Sequence, residues 1–247
     1  MNKLASFDIE HLRLRTYFTG VDEAGRGALA GPVCAAAFLA DEKFYDRLDD
    51  FKILAQLNDS KQLKSEQRDT IYFELIELKK KGIVDFEWAF ASVEEIEKIN
   101  ILEATKLAMK RALDQLNNRN ELNYALMQNR LELFESSTPN LAQSEIFVDG
   151  KPLKNFKYKH FSIIKGDSKS FAIAAASVVA KVNRDKLMID LAKTYKHYAI
   201  EQHKGYATAL HCERLSELGL SPIHRKSFVE TMLRHKEEKA ETQAELF

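Results

Sequence analysis

A helical segment built almost entirely from small side chains is the feature that most constrains the fold of this chain. Residues 171–195 follow one long helical pattern, and its first half contains the run AIAAASVVA. Side chains this small let a helix lie close against a β-sheet in a tightly packed interior. The strand predicted over residues 33–39 also consists mainly of small residues. We therefore expect the long helix to pack directly on the sheet.

Strand and helix patterns alternate along the rest of the chain. Short or alternating apolar runs predict strands over residues 17–21, 33–39, 84–90, 146–148 and 161–164. Helical periodicity predicts helices over residues 63–81 and 171–195, and from the capping box of Ser92 and Glu95 to about residue 118. Residues 119–144 are polar and weakly patterned, which indicates a surface insertion. This order predicts an α/β fold in which a mixed sheet is flanked by helices.

The composition is that of a chain with one hydrophobic core. Its 247 residues, of which 45% are hydrophobic, predict one domain or one domain with a helical extension. There is no run of 18 apolar residues and no signal-peptide pattern, and the two cysteines, Cys34 and Cys212, are far apart. These features exclude a transmembrane helix, a disulfide scaffold and a cysteine zinc site. We expect a cytoplasmic protein without membrane contact, and nothing in the sequence requires more than a monomer.

The net charge is zero, but the charges are unevenly distributed. Residues 151–236 carry 17 Lys and Arg against 7 Asp and Glu, whereas residues 1–150 carry 19 against 26. A basic half is typical of proteins that bind polyanions such as nucleic acids. From the count alone, solvated outer faces of basic helices are the simpler interpretation.

Carboxylates follow three of the predicted strands. Asp22 and Glu23 end the first, Asp149 ends another, and Asp167 comes shortly after the last. A single Asp-Gly pair is most often a turn, but strand ends can bring several carboxylates together, where they repel and raise one another's pKa values. A divalent cation removes that repulsion, and oxygen-only ligands favour Mg²⁺ or Mn²⁺ over zinc. Because adjacent strand residues point to opposite faces, Asp22 and Glu23 can both reach one site only if the strand ends or twists between them.

Two other chemistries fit parts of the sequence less well. The stretch of residues 25–30 matches a loose dinucleotide-binding fingerprint, but the preceding acids would repel a pyrophosphate and Pro32 would end the helix. His203, His211 and His224 could supply acid and base for a ribonuclease that uses the 2′-hydroxyl of its substrate. Their spacing matches no metal motif, and this histidine mechanism is the chemical alternative to the acids.

Seven ordered blocks of the sequence resemble one family. The block GVDEAGRGALAGPV, which begins at Gly20, resembles the signature of ribonuclease HII. The six further blocks are DSKQL at 59–63, VDG at 148–150, KGD at 165–167, AAASVVAKVNRD at 174–185, HKGYATALH at 203–211 and PIHRKSF at 222–228. The departures are the polar stretch 119–144 and Ala207, where the family usually has glycine. Neither departure affects a candidate metal ligand.

The resemblance implies a ribonuclease H-like fold with a helical C-terminal segment. It also implies an endonuclease that hydrolyses the RNA strand of RNA–DNA hybrids and nicks 5′ of ribonucleotides embedded in duplex DNA. Two bound Mg²⁺ or Mn²⁺ ions can activate a water and stabilise the 3′-oxygen leaving group, which predicts 5′-phosphate and 3′-hydroxyl ends. The histidine mechanism would instead leave a 2′,3′-cyclic phosphate.

The resemblance further implies roles for particular residues. The catalytic and metal-binding set would be Asp22, Glu23, Asp149 and Asp167. The bend formed by Gly25, Arg26 and Gly27 would read the ribose 2′-hydroxyl through backbone groups, since glycine permits that close an approach. Tyr206 would stack on the sugar beyond the scissile bond and also contact the 2′-hydroxyl. The other substrate-binding candidates are Ser177 and four cationic residues that would make phosphate contacts or local ion pairs, namely Lys61, Lys181, Arg184 and Arg225.

The chain divides into three parts in this interpretation. Residues 1–198 would be the catalytic domain, residues 199–236 a helical substrate-binding segment, and residues 237–247 a charged flexible tail. The tail ends in QAELF, which resembles the short motif by which bacterial replication and repair enzymes bind the sliding clamp. Leu246 and Phe247 would fill an apolar pocket while Gln243 bonds at its rim. Alternatively, the two apolar residues fold back on the last helix.

Two other functions are alternatives to the endonuclease. One is a hybrid-binding module without catalysis, in which the acids are only turn residues. Four carboxylates facing a nucleic acid without a metal would repel it, which disfavours this module. The other is a metal-dependent nuclease with different substrates.

Overall fold

The structure, a computed structural model, describes residues 2–12, 17–57, 63–128, 141 and 144–234. Its strands in this part of the chain are β1 Tyr17–Ala24, β2 Val33–Asp41, β3 Asp85–Ala91, β4 Ser144–Asp149 and β5 Phe161–Ile163. They form one sheet in the order β3-β2-β1-β4-β5. The pairs β1–β2 and β2–β3 are antiparallel, while β1–β4 and β4–β5 are parallel. The predicted mixed sheet is confirmed.

Helices cover both faces of this sheet. Those within the described ranges are α1 Lys3–Leu12, α2 Glu42–Asp46, α3 Ser65–Lys80, α4 Val93–Gln128, α5 Phe171–Thr194, α6 Ile200–His203 and α7 Ala209–Leu218, and residues 226–234 are also helical. Helix α5 packs on one face of β1 and β2, and α4 packs on the other. No helix in the described part of the chain has both the length and the apolar content needed to cross a bilayer.

The helix of small residues packs on the sheet as its sequence predicts. All of residues 171–180 are buried. A Cβ atom added to Gly20 of β1 would lie only 2.2 Å from the carbonyl carbon of Ala172 in α5. Because only glycine lacks that atom, it alone permits the two backbones to approach so closely. The contact places the first turns of α5 beside the part of β1 that carries the first acids.

Strand β1 divides its side chains between two cores. Phe18 and Ala24 belong to the core under α5, whereas Val21 belongs to the core under α4. Because side chains alternate along a strand, even-numbered positions of β1 face α5 and odd-numbered positions face α4. In β4, Phe147 packs in the α5 core and Val148 in the α4 core. Odd-numbered positions of β4 therefore face α5.

Helix α4 is longer than its sequence pattern predicts. The apolar periodicity ends near residue 118, but the helix continues to Gln128. No glycine or proline interrupts residues 93–128, so the backbone hydrogen-bond ladder continues after the apolar pattern has ended. A kink lies at Asn100 (φ 68°), whose side chain accepts hydrogen bonds from the N–H groups of Leu102 and Glu103. The insertion predicted at 119–144 therefore begins as helix, and most of its remainder lies outside the described residues.

The C-terminal helices form a third core that holds the loop between β1 and β2. Leu215 and Ile223 pack there with Leu29 of that loop. The N–H of Leu29 donates to the carbonyl of Gly205 (2.8 Å), and the N–H of Gly31 donates to the carbonyl of Ile223 (2.8 Å). The helical C-terminal segment implied by the resemblance is thus present. The domain boundary proposed at residue 198 stays a prediction.

A buried carboxyl group, Asp8 of α1, is expected to make stability depend on pH. Its Oδ2 accepts hydrogen bonds from the Tyr45 hydroxyl (2.8 Å) and the N–H of Ala172 (2.8 Å), yet burial raises its pKa from 3.8 to about 7. Between these two pKa values the folded state keeps a proton that the unfolded chain releases. The stability that this proton contributes is therefore fully present below the unfolded pKa of 3.8 and is lost as the pH rises through the folded pKa of about 7. Thermal unfolding of the wild type and Asp8→Asn from pH 5 to 8 should show the wild type losing roughly 2–3 kcal/mol relative to the variant. Parallel stability curves would contradict this assignment.

Candidate active site

Three of the acids singled out from the sequence lie at one edge of the sheet. Asp22 lies in β1, Asp149 ends β4, and Asp167 lies in the 3₁₀ turn that precedes α5. In the parallel register of β1 and β4, Val21 pairs with Val148, and Asp22 and Asp149 are the next residues on their strands. The Oδ1 of Asp149 accepts a hydrogen bond from the N–H of Gly166 at 2.6 Å, which connects it to the turn that carries Asp167. Neighbouring strands and one hydrogen bond thus join the three positions.

The fourth acid, Glu23, lies on the opposite face of β1. The strand neither ends nor changes face between Asp22 and Glu23, because it continues through Ala24. Asp22 therefore faces α5 and is buried, whereas Glu23 faces α4 and forms an ion pair with Arg26 (3.2 Å). Among the described residues, no three acidic, histidine or cysteine side chains lie close enough together to hold one metal ion. The ion pair directs the Glu23 carboxylate to Arg26.

Burial and charge repulsion raise the pKa of Asp22 well above its ordinary value. Burial is the largest cause, and the negative charges of Glu23 and Asp149 add to it. Hydrogen bonds from the Ser177 hydroxyl and from the N–H of Glu23 act in the opposite direction. A bound divalent cation would favour the charged form that these surroundings disfavour. All donors of the set are carboxylate oxygens, so its chemistry fits Mg²⁺ or Mn²⁺.

A groove of about 730 Å³ is lined by two of the four acids, Glu23 and Asp149, and by residues of α4. Its charged lining comprises Glu23, Asp149, Glu103, Arg26, Lys106, Lys151 and Lys154. The sequence reasoning did not single out the three lysines. The basic stretch directly after Asp149 is the signal that could have indicated the last two, whereas Lys106 lies on α4, remote in sequence from the acids.

Arg184 and Arg225 lie beneath the loop that follows β1 and not on a substrate-binding surface. Both side chains are fully buried. Their guanidinium groups donate hydrogen bonds of 2.9–3.0 Å to backbone carbonyls, Arg184 to those of Ala30, Pro32 and Lys204, and Arg225 to those of Arg26 and Gly31. Burial lowers the pKa of both groups, to about 9 for Arg225. A phosphate contact does not fit this geometry, because the donors hold the interior of a tight loop together.

Tyr206 lies between this loop and α5. The Nζ of Lys181 and the guanidinium carbon of Arg184 are 5.1 Å and 5.2 Å from the centroid of its ring. Lys181 also forms an ion pair with Asp185 at 2.8 Å. The ring therefore lies among cations that interact favourably with an aromatic face.

The structure describes some of the remaining candidates but not all of them. Ser177 is buried and hydrogen-bonded to Asp22, so it supports an acid of the set. Gly25, Arg26 and Gly27 form the bend immediately after β1. Lys61 and the tail residues Gln243, Leu246 and Phe247 lie outside the described residues.

The histidines of the alternative mechanism are enclosed in the C-terminal part of the chain. His203, His211 and His224 are all buried. Burial lowers the pKa of each, to about 4 for His211 and His224. The rings are therefore neutral at neutral pH and hidden from solvent. This placement disfavours an acid–base role on a bound substrate.

Comparisons with known proteins agree with the fold. The family model of ribonuclease HII matches residues 19–231. The ribonuclease HII of Fusobacterium nucleatum is 40% identical over 240 residues, which cover 96% of this chain and 95% of that protein. Among solved structures, ribonuclease H2 from Pyrococcus horikoshii OT3 has a TM-score of 0.59 at 26% identity, covering 85% of this chain and 93% of the other.

Two further structures share the fold at lower identity. One is the PCNA:RNase HII complex from Archaeoglobus fulgidus, with a TM-score of 0.59, 22% identity, and coverage of 84% of this chain and 93% of that chain. The other is Bst-RNase HIII in complex with Mn²⁺, with a TM-score of 0.56, 17% identity, and coverage of 84% and 64%.

The sheet topology and the family match together define a metal-dependent endoribonuclease with a ribonuclease H-like fold. More particularly, the chain belongs to the ribonuclease HII family, which cleaves RNA in RNA–DNA hybrids.

Proposed function

We propose that this ribonuclease HII nicks 5′ of single ribonucleotides in duplex DNA as well as cutting the RNA strand of hybrids. The observation that carries this proposal is the direct succession of acids and a glycine bend. Asp22 and Glu23 lie at the end of β1, and Gly25, Arg26 and Gly27 follow immediately. Groups that act on a phosphodiester thus lie next to backbone groups able to recognise a 2′-hydroxyl, which distinguishes RNA from DNA.

The proposed metal-binding set is Asp22, Glu23, Asp149 and Asp167, which would hold Mg²⁺ or Mn²⁺. When bound, two such cations would supply the means to activate a water and to stabilise the 3′-oxygen leaving group of an in-line displacement. The protein's part is to bring Asp22, Asp149 and Asp167 to the same end of the sheet. Ser177 bonds to Asp22 there, and the N–H of Gly166 bonds to Asp149. Glu23 would have to leave its ion pair with Arg26 to join them.

The two glycines of the bend have different surroundings. A Cβ atom added to Gly25, at φ +93°, would overlap the side chain of Arg184, so this residue lets the chain turn over the buried arginine. A Cβ atom added to Gly27 would meet no atom within 4 Å. We infer that the open space at Gly27 is where backbone groups approach the sugar, since glycine leaves them uncovered. Lys106, Lys151 and Lys154, in the adjoining groove, would attract the phosphates on the α4 side.

The decisive experiment uses a DNA duplex that carries one ribonucleotide, with an all-DNA duplex as control. With Mg²⁺ or Mn²⁺ we expect a nick 5′ of the ribonucleotide that leaves a 3′-hydroxyl and a 5′-phosphate, and no nick with a chelator. A 2′,3′-cyclic phosphate, detected by mass spectrometry, would return the assignment to the histidines. Binding without cleavage would favour the hybrid-binding module.

Substitution of Tyr206 is expected to weaken recognition of a single ribonucleotide. Tyr206→Ala should lower kcat/KM on that substrate roughly tenfold to hundredfold, because base and sugar stacking contributes about 1–3 kcal/mol. Tyr206→Phe should be milder, since it keeps the ring and removes only the hydroxyl. Steady-state cleavage of both variants separates stacking from hydrogen bonding. Wild-type activity in Tyr206→Ala would show that the ring only packs.

We also propose that the last five residues bind a sliding clamp. The supporting observations are the sequence QAELF at the C-terminus and the PCNA complex of the Archaeoglobus protein. Leu246 and Phe247 would enter an apolar pocket, and Gln243 would bond at its rim. Such tethering raises the local concentration of the enzyme on DNA without altering catalysis.

Deletion of residues 243–247 should abolish clamp binding while cleavage of a short duplex is unchanged. Titration of a bacterial clamp with the full-length and truncated proteins, followed by cleavage assays on an oligonucleotide, measures both effects. Equal clamp binding by the two proteins would eliminate the proposal. A lower thermal stability of the truncated protein would favour packing of the two apolar residues on the last helix.

A further inference from the structure

Buried histidines connect the loop that carries Tyr206 to Ser221, which follows α7. His203 and His211 stack with their ring centroids 4.1 Å apart, and the Nε2 atoms of His211 and His224 are 3.1 Å apart. The Nδ1 of His211 is 3.0 Å from the carbonyl oxygen of Tyr206, and the Nδ1 of His224 is 3.0 Å from the backbone nitrogen of Ser221. A chain of hydrogen bonds therefore runs from Ser221 through two rings to Tyr206.

The partners at the two ends of this chain assign one proton to each ring. A backbone N–H can only donate, so Nδ1 of His224 accepts from the N–H of Ser221, and the Ser221 hydroxyl, 2.8 Å from the same nitrogen, is a second donor to it. His224 therefore carries its own proton on Nε2. That proton is donated to Nε2 of His211, which leaves the proton of His211 on Nδ1, where the carbonyl of Tyr206 accepts it. The lowered pKa values of His211 and His224 agree with this neutral state.

His203 holds the preceding residue of the same loop. The N–H of Gly205 donates to the Nδ1 of His203 (3.1 Å), and the Nε2–H of His203 donates to the carbonyl of Tyr198 (2.8 Å). The carbonyl of Gly205 in turn accepts from the N–H of Leu29. A Cβ atom added to Gly205 would lie 2.4 Å from the carbonyl oxygen of Ala30. The Tyr206 backbone is thus held between the histidines and the loop that follows β1.

We propose that His211 is a positioning residue of the cleavage reaction, which acts through the Tyr206 carbonyl to orient the Tyr206 ring toward the substrate sugar. The inference rests on the proposed function, in which Tyr206 stacks beside the scissile bond. His224 maintains the tautomer of His211 that donates to this carbonyl, as an outer partner commonly does for a functional histidine. The Tyr206 carbonyl also accepts from the N–H of Thr208 (2.8 Å). Because each ring has a single donor, the histidine chain and this second bond together permit one orientation of the Tyr206 peptide group.

Two conservative variants of His211 separate positioning from packing. The amide nitrogen of Asn takes about the place of the histidine Nδ1, whereas the amide of Gln takes about the place of Nε2. His211→Asn therefore keeps the donor to Tyr206, and His211→Gln loses it. On duplex DNA with one ribonucleotide, we expect His211→Gln to lower kcat/KM about tenfold and His211→Asn to retain most of it, the effect of one hydrogen bond.

Leu215→Ala is the matched control for a general loss of stability. Leu215 packs in the same third core, and its side chain has no hydrogen bond to lose. Assayed below the unfolding temperature of every variant, Leu215→Ala should keep wild-type kcat/KM. Added to Tyr206→Ala, His211→Gln should cause no further loss, because both act through one ring. Additive losses, or an equal loss in Leu215→Ala, would overturn the positioning role.

A spectroscopic measurement tests the same chain of hydrogen bonds in the wild-type protein. Long-range ¹H–¹⁵N spectra of the wild-type histidine rings at neutral pH should show Nδ1–H for His211 and Nε2–H for His203 and His224. A protonated or Nε2–H ring at His211 would overturn the inference even if the variants fail to fold. Failure of the wild type to nick at a single ribonucleotide would instead overturn the proposed function.

Discussion

Asp22→Asn is expected to reduce cleavage of an RNA–DNA hybrid by at least about a hundredfold while the protein stays folded. Asp22 is buried beside Asp149, and an amide in its place would keep the shape of the side chain without the negative charge that a divalent cation requires. Asp149→Asn should have the same effect, since its carboxylate belongs to the same proposed set. Single-turnover cleavage with saturating enzyme and Mg²⁺ or Mn²⁺ measures the loss.

The same substitution should leave thermal stability unchanged or slightly increased in the metal-free protein. Burial and the charges of Glu23 and Asp149 raise the pKa of Asp22, so removal of its carboxylate relieves an unfavourable interaction. Glu145→Gln is the matched control, because Glu145 lies in β4 at the end opposite Asp149. It should keep wild-type cleavage. Undiminished cleavage by Asp22→Asn, or by the wild type in excess chelator, would contradict the proposed metal site.

Gly20→Ala is expected to destabilise the fold by roughly 3 kcal/mol or more, the upper range for overpacked interiors. The added Cβ would lie 2.2 Å from the carbonyl carbon of Ala172 and 2.3 Å from the nitrogen of Ile173. Both atoms belong to the backbone of α5, which cannot move aside as a flexible side chain would. The helix would have to shift away from β1 and would carry Ser177 away from its hydrogen bond with Asp22. Urea unfolding of the variant measures the loss.

Gly27→Ala is the matched control for this substitution. A Cβ atom there would meet nothing within 4 Å, so the free energy of unfolding should stay close to that of the wild type. Cleavage at a single ribonucleotide should nevertheless fall, because the methyl group would enter the space proposed for the ribose. A Gly20→Ala protein with wild-type stability would show that α5 does not depend on this close approach.

The strand and helix order could be predicted because each element carries its pattern locally. Apolar and polar residues alternate around Trp88, which predicts the strand observed as β3. The alanine-rich run predicts the buried first half of α5. The end of α4 could not be predicted from periodicity. Hydrogen bonds within a helix continue through polar residues when no breaker intervenes, so the pattern ended ten residues before the helix did.

The sequence by itself determined the mixed α/β sheet, the acids at its strand ends and the glycine bend beside them, because these depend on residues close together along the chain. Only the tertiary structure decided that Glu23 faces away from Asp22, since that follows from how far β1 continues. It also decided that Arg184, Arg225 and His211 are buried. Such residues look alike in sequence whether they face solvent or carbonyl groups. Their environment is formed by loops from remote parts of the chain. Once buried there, a guanidinium group or an imidazole ring serves as a hydrogen-bond donor that holds the structure together.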